Sequence, residues 1–262
     1  MCLLVVAWHA HPNYRLVVAA NRDEFHARPA APLDFWRDPP PILAGRDLQA
    51  GGTWLGLDRD RRFGVVTNFR ELARPRRHAP SRGHLITRYL AGTAPAAAYL
   101  EELETDAPGY AGFNLLLADN RQLYYASNRA ERFATPLAAG VYGLSNHFLD
   151  TPWPKLRRVR AAIENWAASG TQELTPLWDA LADTEPANDP LLDPALTAGL
   201  DPSWLRVLSA PFVLHPDYGT RCSTLLLIGH DDSVLIIERR FDSAGRETGR
   251  SEFSLPSGHW GP

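Results

Sequence analysis

Apolar residues in this chain come mostly in short runs rather than at helical spacing. Leu3 to Trp8 is one run and Arg15 to Ala20 contains a second, separated by the turn sequence His11-Pro12-Asn13-Tyr14. Both are too short for helices and rich in Val, which predicts strands buried on both faces. Asn21-Arg22-Asp23-Glu24 should end the second strand, with a Pro-rich loop over 28–41. Gly51-Gly52-Thr53-Trp54-Leu55-Gly56-Leu57 reads as a turn entering a strand, and 62–68 as another beyond the charged tip 58–61. Residues 113–118 and 123–127 predict a hairpin, 141–146 a short strand, and 222–228 with 234–240 a second hairpin. Helices are predicted from Ser81 to Tyr89, and after Thr93 with Pro95 in the first turn and Leu100 and Leu103 on the apolar side. A third is predicted over 154–168, where Leu156, Val159, Ile163 and Trp166 lie three or four apart, and a fourth near 175–182. Residues 184–202, rich in Pro, Asp and Leu, read as a surface excursion. Hairpins interleaved with helix pairs argue for an α+β sandwich in one domain over 1–262, not a parallel βαβ sheet.

Composition adds exclusions. The 262 residues are 45% hydrophobic and 22% charged, which excludes a disordered chain. The 27 basic side chains nearly cancel 30 acidic ones, for a net charge of -3, so bulk attraction to nucleic acid is not expected. No apolar run reaches the ~18 residues of a membrane span, and residues 3–8 lack the basic flank of a signal peptide. The expectation is a cytoplasmic protein without a membrane span. The only cysteines, Cys2 and Cys222, make no disulfide framework, and Cys222 is expected to be buried and inert. Lys155 is the only lysine, which with 22 prolines reads as compositional bias.

Cys2 carries the candidate chemistry. Initiator methionine is removed when the next side chain is small, and the mature chain would then begin with a thiol and a free α-amine on one residue. An α-amine titrates near ~7.7–8.0, so it can serve as base for its own thiol. A small buried hydrophobe at a strand start is the alternative for Cys2. If the first two strands form a hairpin, Asp23 comes beside that amine, and Arg22 points to the other face. A polar turn with surface ion pairs is the ordinary role of such a tetrapeptide. Asn68 and Asn146 each end a predicted strand, where an amide can donate to an oxyanion or simply shape a turn. Arg221 precedes an apolar strand, and a guanidinium there would favour thiolate. Trp54, beside Gly51 and Gly52, can line a cleft or fill a core.

These residues resemble the NRDE family, whose eukaryotic members are the transport and Golgi organisation protein 2 group. The likeness runs through Asn21-Arg22-Asp23-Glu24, Met1-Cys2, Gly51 to Gly56, Gly112-Phe113-Asn114-Leu115, Tyr142 to Asn146, Leu149 to Lys155 and Tyr218-Gly219-Thr220-Arg221. That family in turn resembles the cysteine N-terminal-nucleophile hydrolases, such as bile-salt hydrolases and penicillin V acylases. The resemblance implies a four-layer αββα sandwich. It also implies catalytic roles for Cys2, Asn21, Asp23, Asn68, Asn146 and Arg221, with Arg22, Thr53 and Trp54 at the substrate. The acylases carry an arginine where this chain has Ala20, and Arg22 is displaced from that place. The implied activity is hydrolysis of a non-peptide C–N bond in a small acylated substrate, with no metal and no cofactor. Family associations with lipid homeostasis and haem trafficking imply the alternative, a non-catalytic haem or acyl-CoA carrier. Its iron ligand would be the thiol or one of His9, His11, His26, His78 and His84.

Overall fold

The computed structural model describes residues 2–38, 41–71, 79–187 and 201–261. They form two compact units: residues 1–27, 139–145 and 149–257, and residues 28–138, 146–148 and 258–262.

The first unit is built on a six-stranded antiparallel sheet, with strands β1 (Cys2–Trp8), β2 (Tyr14–Phe25), β10 (Gly140–Leu144), β11 (Tyr218–Gly229), β12 (Val234–Phe241) and β13 (Glu247–Leu255). Their order is β10-β1-β2-β11-β12-β13. Helices α3 (Pro154–Ser169) and α4 (Thr175–Ala182) supply the apolar partner for one sheet face. Leu156, Val159, Ile163 and Trp166 pack with Leu3, Val5, Ala7, Val17 and Ala19. Each such side chain contributes ~1.5–3 kcal/mol on burial. Pro154 suits the first turn of α3, where a missing N–H costs nothing. Gly170 stops the helix in the left-handed conformation, at φ 68°. A short helix, α5 (Pro202–Leu208), is capped by the Asp201 carboxylate, which accepts from the Ser203 N–H.

The second unit holds a seven-stranded antiparallel sheet in sequence order: β3 (Ala30–Phe35), β4 (Ile42–Asp47), β5 (Leu55–Asp58), β6 (Phe63–Asn68), β7 (Phe113–Ala118), β8 (Leu123–Ser127) and β9 (Ala134–Leu137). Helices α1 (Gly83–Ala91) and α2 (Ala96–Asp106) belong to it. Leu85, Ile86, Tyr89, Leu100 and Leu103 pack with Leu115 and Leu117 of the sheet.

Several boundaries differ from the sequence reading. β2 runs through Asn21-Arg22-Asp23-Glu24 instead of ending there, because β1 and β11 pair with it on both sides. The expected Pro-rich loop contains β3, an edge strand whose irregular pairing between Ala31 and Asp34 accommodates Pro32. β13 is a polar edge strand without apolar alternation, so no pattern predicts it. Thr93 caps nothing: the Ala96 N–H at the start of α2 donates to Asp119 Oδ2 at 3.2 Å. The helix at 202–208 lies just beyond the expected excursion, of which 188–200 is outside the described residues. No helix among the described residues is long and apolar enough to cross a membrane.

Candidate active site

Backbone register assembles most of the expected polar residues in the first unit. Cys2 pairs with Arg22 across β1 and β2, and Leu3 with Asn21. On the other side of β2, Asn21 pairs with Ser223, Arg22 with Cys222 and Asp23 with Thr220. The register shifts between Thr220 and Cys222, which leaves Arg221 as the extra residue of a β-bulge. Bulges re-aim side chains, and they recur beside active sites.

Asn21 is fully committed. Its Oδ1 accepts from the Ser223 hydroxyl at 2.6 Å, and its Nδ2 donates to Leu181 O at 2.8 Å and Pro211 O at 2.9 Å. It therefore straps β2 to the end of α4 and to the chain entering β11.

Asp23 is 1% exposed. Its Oδ1 accepts from the Thr220 hydroxyl at 2.7 Å, and that hydroxyl accepts the Val213 N–H at 2.9 Å. The Asp23 carbonyl accepts from the Tyr218 hydroxyl at 3.0 Å. Burial pushes the carboxyl above the usual carboxylate range, opposed in turn by Lys155, the ammonium at the start of the chain, the Thr220 hydroxyl and Arg22.

Arg22 is buried, and Arg221 is half-buried on the bulge. Arg221 Nη1 donates to Phe25 O at 3.1 Å and His26 O at 2.7 Å. Desolvation, then repulsion from Arg22, holds its guanidinium below the ordinary range. Cys222 is buried, as expected.

Lys155 is the member that sequence reasoning missed. It is buried at 3% exposure in the first turn of α3, and it is the foremost cation acting on Asp23. A cation opposes the helix dipole at that end, and lysine is rarely buried unless paired. A lone lysine directly after Trp153-Pro154 was the available signal.

The second unit brings Asn68 and Asn146 together. Asn68 ends β6, while Asn146 lies beyond the end of β10, not on it. Asn146 Nδ2 donates to Asn68 O at 3.0 Å, and the Asn146 carbonyl accepts the Arg70 N–H at 2.8 Å. Asn146 has φ 55°, in the left-handed region. Beside this pair, the rings of Phe69, His147 and Phe148 cluster at centroid distances of 4.7–4.9 Å.

Thr53 and Trp54 have local partners. The Thr53 hydroxyl donates to Leu55 O at 2.9 Å. The Trp54 ring crosses β4 where a Cβ on Gly45 would stand 2.4 Å from it. The close backbone approach at Gly52 is made by Gly83 at the start of α1, 2.5 Å from a would-be Cβ. Among the histidines expected as iron ligands, both His11 ring nitrogens have backbone partners, at Thr171 O and Asn13 N. His26 Nε2 faces His215 O. His9 and His84 are exposed, and His78 lies outside the described residues. Among the described residues no three His, Cys, Asp or Glu side chains converge as a metal site.

The chain is similar to the crystal structure of the mutant C2A conjugated bile acid hydrolase from Clostridium perfringens, with a TM-score of 0.53 at 6% identity over 97% of this chain and 92% of that one. That likeness shows an N-terminal-nucleophile hydrolase fold, the α+β class expected. The Bos taurus Transport and Golgi organization protein 2 homolog is 36% identical over 98% of this chain and 100% of its own length. The Homo sapiens homolog is 34% identical over the same shares. The profile of the family described as Transport and Golgi organisation 2 matches residues 1–243, and the chain belongs to that family.

Proposed function

We propose that this chain is an N-terminal-nucleophile cysteine hydrolase that cleaves a non-peptide amide bond of a small acylated substrate. Loss of Met1 exposes the Cys2 amine, which takes the thiol proton as the sulfur attacks the amide carbonyl carbon. Asn68 and Asn146 donate to the resulting oxyanion. The C–N bond breaks as the departing nitrogen receives the proton, and water then hydrolyses the thioester to release the carboxylic acid. Asp23 orients the amine, and Arg221 favours the thiolate.

The observation that carries this reading is Asp23: a carboxyl 1% exposed, one residue beyond the cross-strand partner of Cys2. An acid is rarely buried for packing alone. The fold is similar to that of a conjugated bile acid hydrolase whose structure is of its C2A mutant.

The test is turnover of a panel of N-acyl amides by the wild type and by Cys2→Ala, with intact mass recorded on the same samples. Loss of Met1 and turnover abolished by the substitution are expected. Equal turnover by both proteins, or turnover with Met1 retained, refutes the mechanism. Full biological activity kept by Cys2→Ala would instead favour a carrier of acyl-CoA or of haem held by a histidine, and a haem carrier would shift the Soret band on titration.

A further inference from the structure

We infer that Asn114 is a positioning residue that holds Asn146 in its donor geometry; this rests on the hydrolase reading above. Asn114 is fully buried on β7, opposite Thr67 of β6. Its Nδ2 donates to Thr67 Oγ1 at 3.3 Å and to His147 O at 3.0 Å, and its Oδ1 accepts from the Tyr125 hydroxyl at 2.9 Å. The chemistry permits one amide orientation. A peptide carbonyl only accepts, so the NH2 must face His147 O, and the Tyr125 hydroxyl then meets the oxygen.

The carbonyl that Asn114 grips belongs to His147, the residue after Asn146. Residue 146 sits at φ 55°, in the left-handed region, which asparagine tolerates better than most L-residues but still at some cost. Among the ties that hold this backbone are the Arg70 N–H to Asn146 O, Asn146 Nδ2 to Asn68 O, and Asn114 to His147 O. The first engages Arg70, just past β6, and the second the exposed last residue of β6, whereas Asn114 is fully buried on β7 in the interior of the sheet. It is the member of the set anchored in packed core. Without it, the 146–147 backbone can relax toward ordinary φ, and the Asn146 amide turns with it. An oxyanion donor acts only within about 0.5 Å of its productive position, so the loss falls on the transition state rather than on substrate binding.

The experiment is kinetics of Asn114→Asp and Tyr125→Phe on the amide that the wild type hydrolyses, with amide hydrogen exchange on the same proteins. Aspartate retains the acceptor for Tyr125 and sets a carboxylate oxygen against His147 O. A fall in kcat of about tenfold or more, with KM within about twofold, is expected for Asn114→Asp, and a smaller fall for Tyr125→Phe. Faster exchange of the Arg70 N–H, with β7 and β8 amides unchanged, is expected in both. Unchanged Arg70 exchange overturns the latch even if the wild type hydrolyses nothing. Faster exchange without any wild-type turnover upholds the latch and sinks the hydrolase reading. Unchanged kcat alongside faster exchange overturns the catalytic role of the latch. Should Asn114→Asp fail to fold, Tyr125→Phe carries the same measurements.

Discussion

Replacing Asn21 by alanine isolates what the first residue of the NRDE motif does. The side chain donates to two carbonyls, Leu181 O and Pro211 O, and accepts from the Ser223 hydroxyl, all in a buried setting. The hydroxyl can rotate to another acceptor, but the two carbonyls cannot move without shifting α4 and the chain before β11. Each buried acceptor left unmet costs ~1–3 kcal/mol. The expected destabilisation is therefore ~2–6 kcal/mol, a large part of a typical total of ~5–15. At about 2–4 °C per kcal/mol for a chain near this size, the melting temperature should fall by at least about 4 °C. Urea denaturation followed by tryptophan fluorescence measures the loss, and turnover per folded molecule is recorded beside it. The loss should be in stability, with turnover per folded molecule retained, because no Asn21 hydrogen-bonding group remains for a substrate. Asn21→Asp sharpens the test. It keeps the acceptor for Ser223 but sets a carboxylate against two carbonyls, so it should be no more stable than Asn21→Ala at neutral pH and should recover in acid. A loss below about 1 kcal/mol for Asn21→Ala would mean that water takes over the amide's bonds, and the strap would be refuted.

Asp23→Asn tests the electrostatics. Burial raises the folded carboxyl above its unfolded value of ~3.9, so the folded state holds that proton more tightly. The stability of wild type relative to Asp23→Asn should be greatest below pH ~3.9 and decline as pH rises through the folded value. A difference in melting temperature that grows with pH would show that the surrounding cations outweigh burial. Lys155→Met combined with Asp23→Asn should cost less than the two single changes together, by ~0.5–3 kcal/mol; strict additivity would disprove their coupling. Gly143→Ala would place a methyl 2.8 Å from Leu156 of α3. It should destabilise by ~1–3 kcal/mol in thermal denaturation, and an unchanged melting temperature would show that α3 shifts freely on β10.

The elements legible in the sequence are those whose apolar residues are contiguous or regularly spaced along the chain. Leu156, Val159, Ile163 and Trp166 meet the sheet through a single helix face, so their spacing alone gives α3. The hairpin of β7 and β8 is bounded by polar residues at its turn. The strands that the pattern hides include the edges β3, β9 and β13, which carry prolines or charges because an exposed edge must not recruit another chain, and the interior β4, whose short apolar start Ile42-Leu43-Ala44 follows directly on the Pro-rich run. The continuation of β2 is hidden for the opposite reason. Its polar residues lie in the middle of a sheet and are satisfied by partners far along the chain, at Leu181, Pro211, Thr220 and Ser223.

That distinction also sorts the candidate site. Residue type and order are sequence properties, so Cys2, Asp23, Asn68, Asn146 and Arg221 could be singled out from the chain alone. Partnership is a property of register. It separates two residues that lie two apart in one motif: Asn21, whose hydrogen bonds all go to structure, and Asp23, which sits among cations beside the start of the chain. Register likewise brings forward Lys155 and Asn114. The first looked like composition and the second like an ordinary strand residue, yet Lys155 acts on Asp23 and Asn114 holds the carbonyl of the residue after Asn146, each across dozens of positions. A short motif in a fold of this kind is therefore read correctly only one residue at a time. Its name-giving tetrapeptide contains one structural strap, one buried cation and one buried acid, and only substitutions made singly will resolve them.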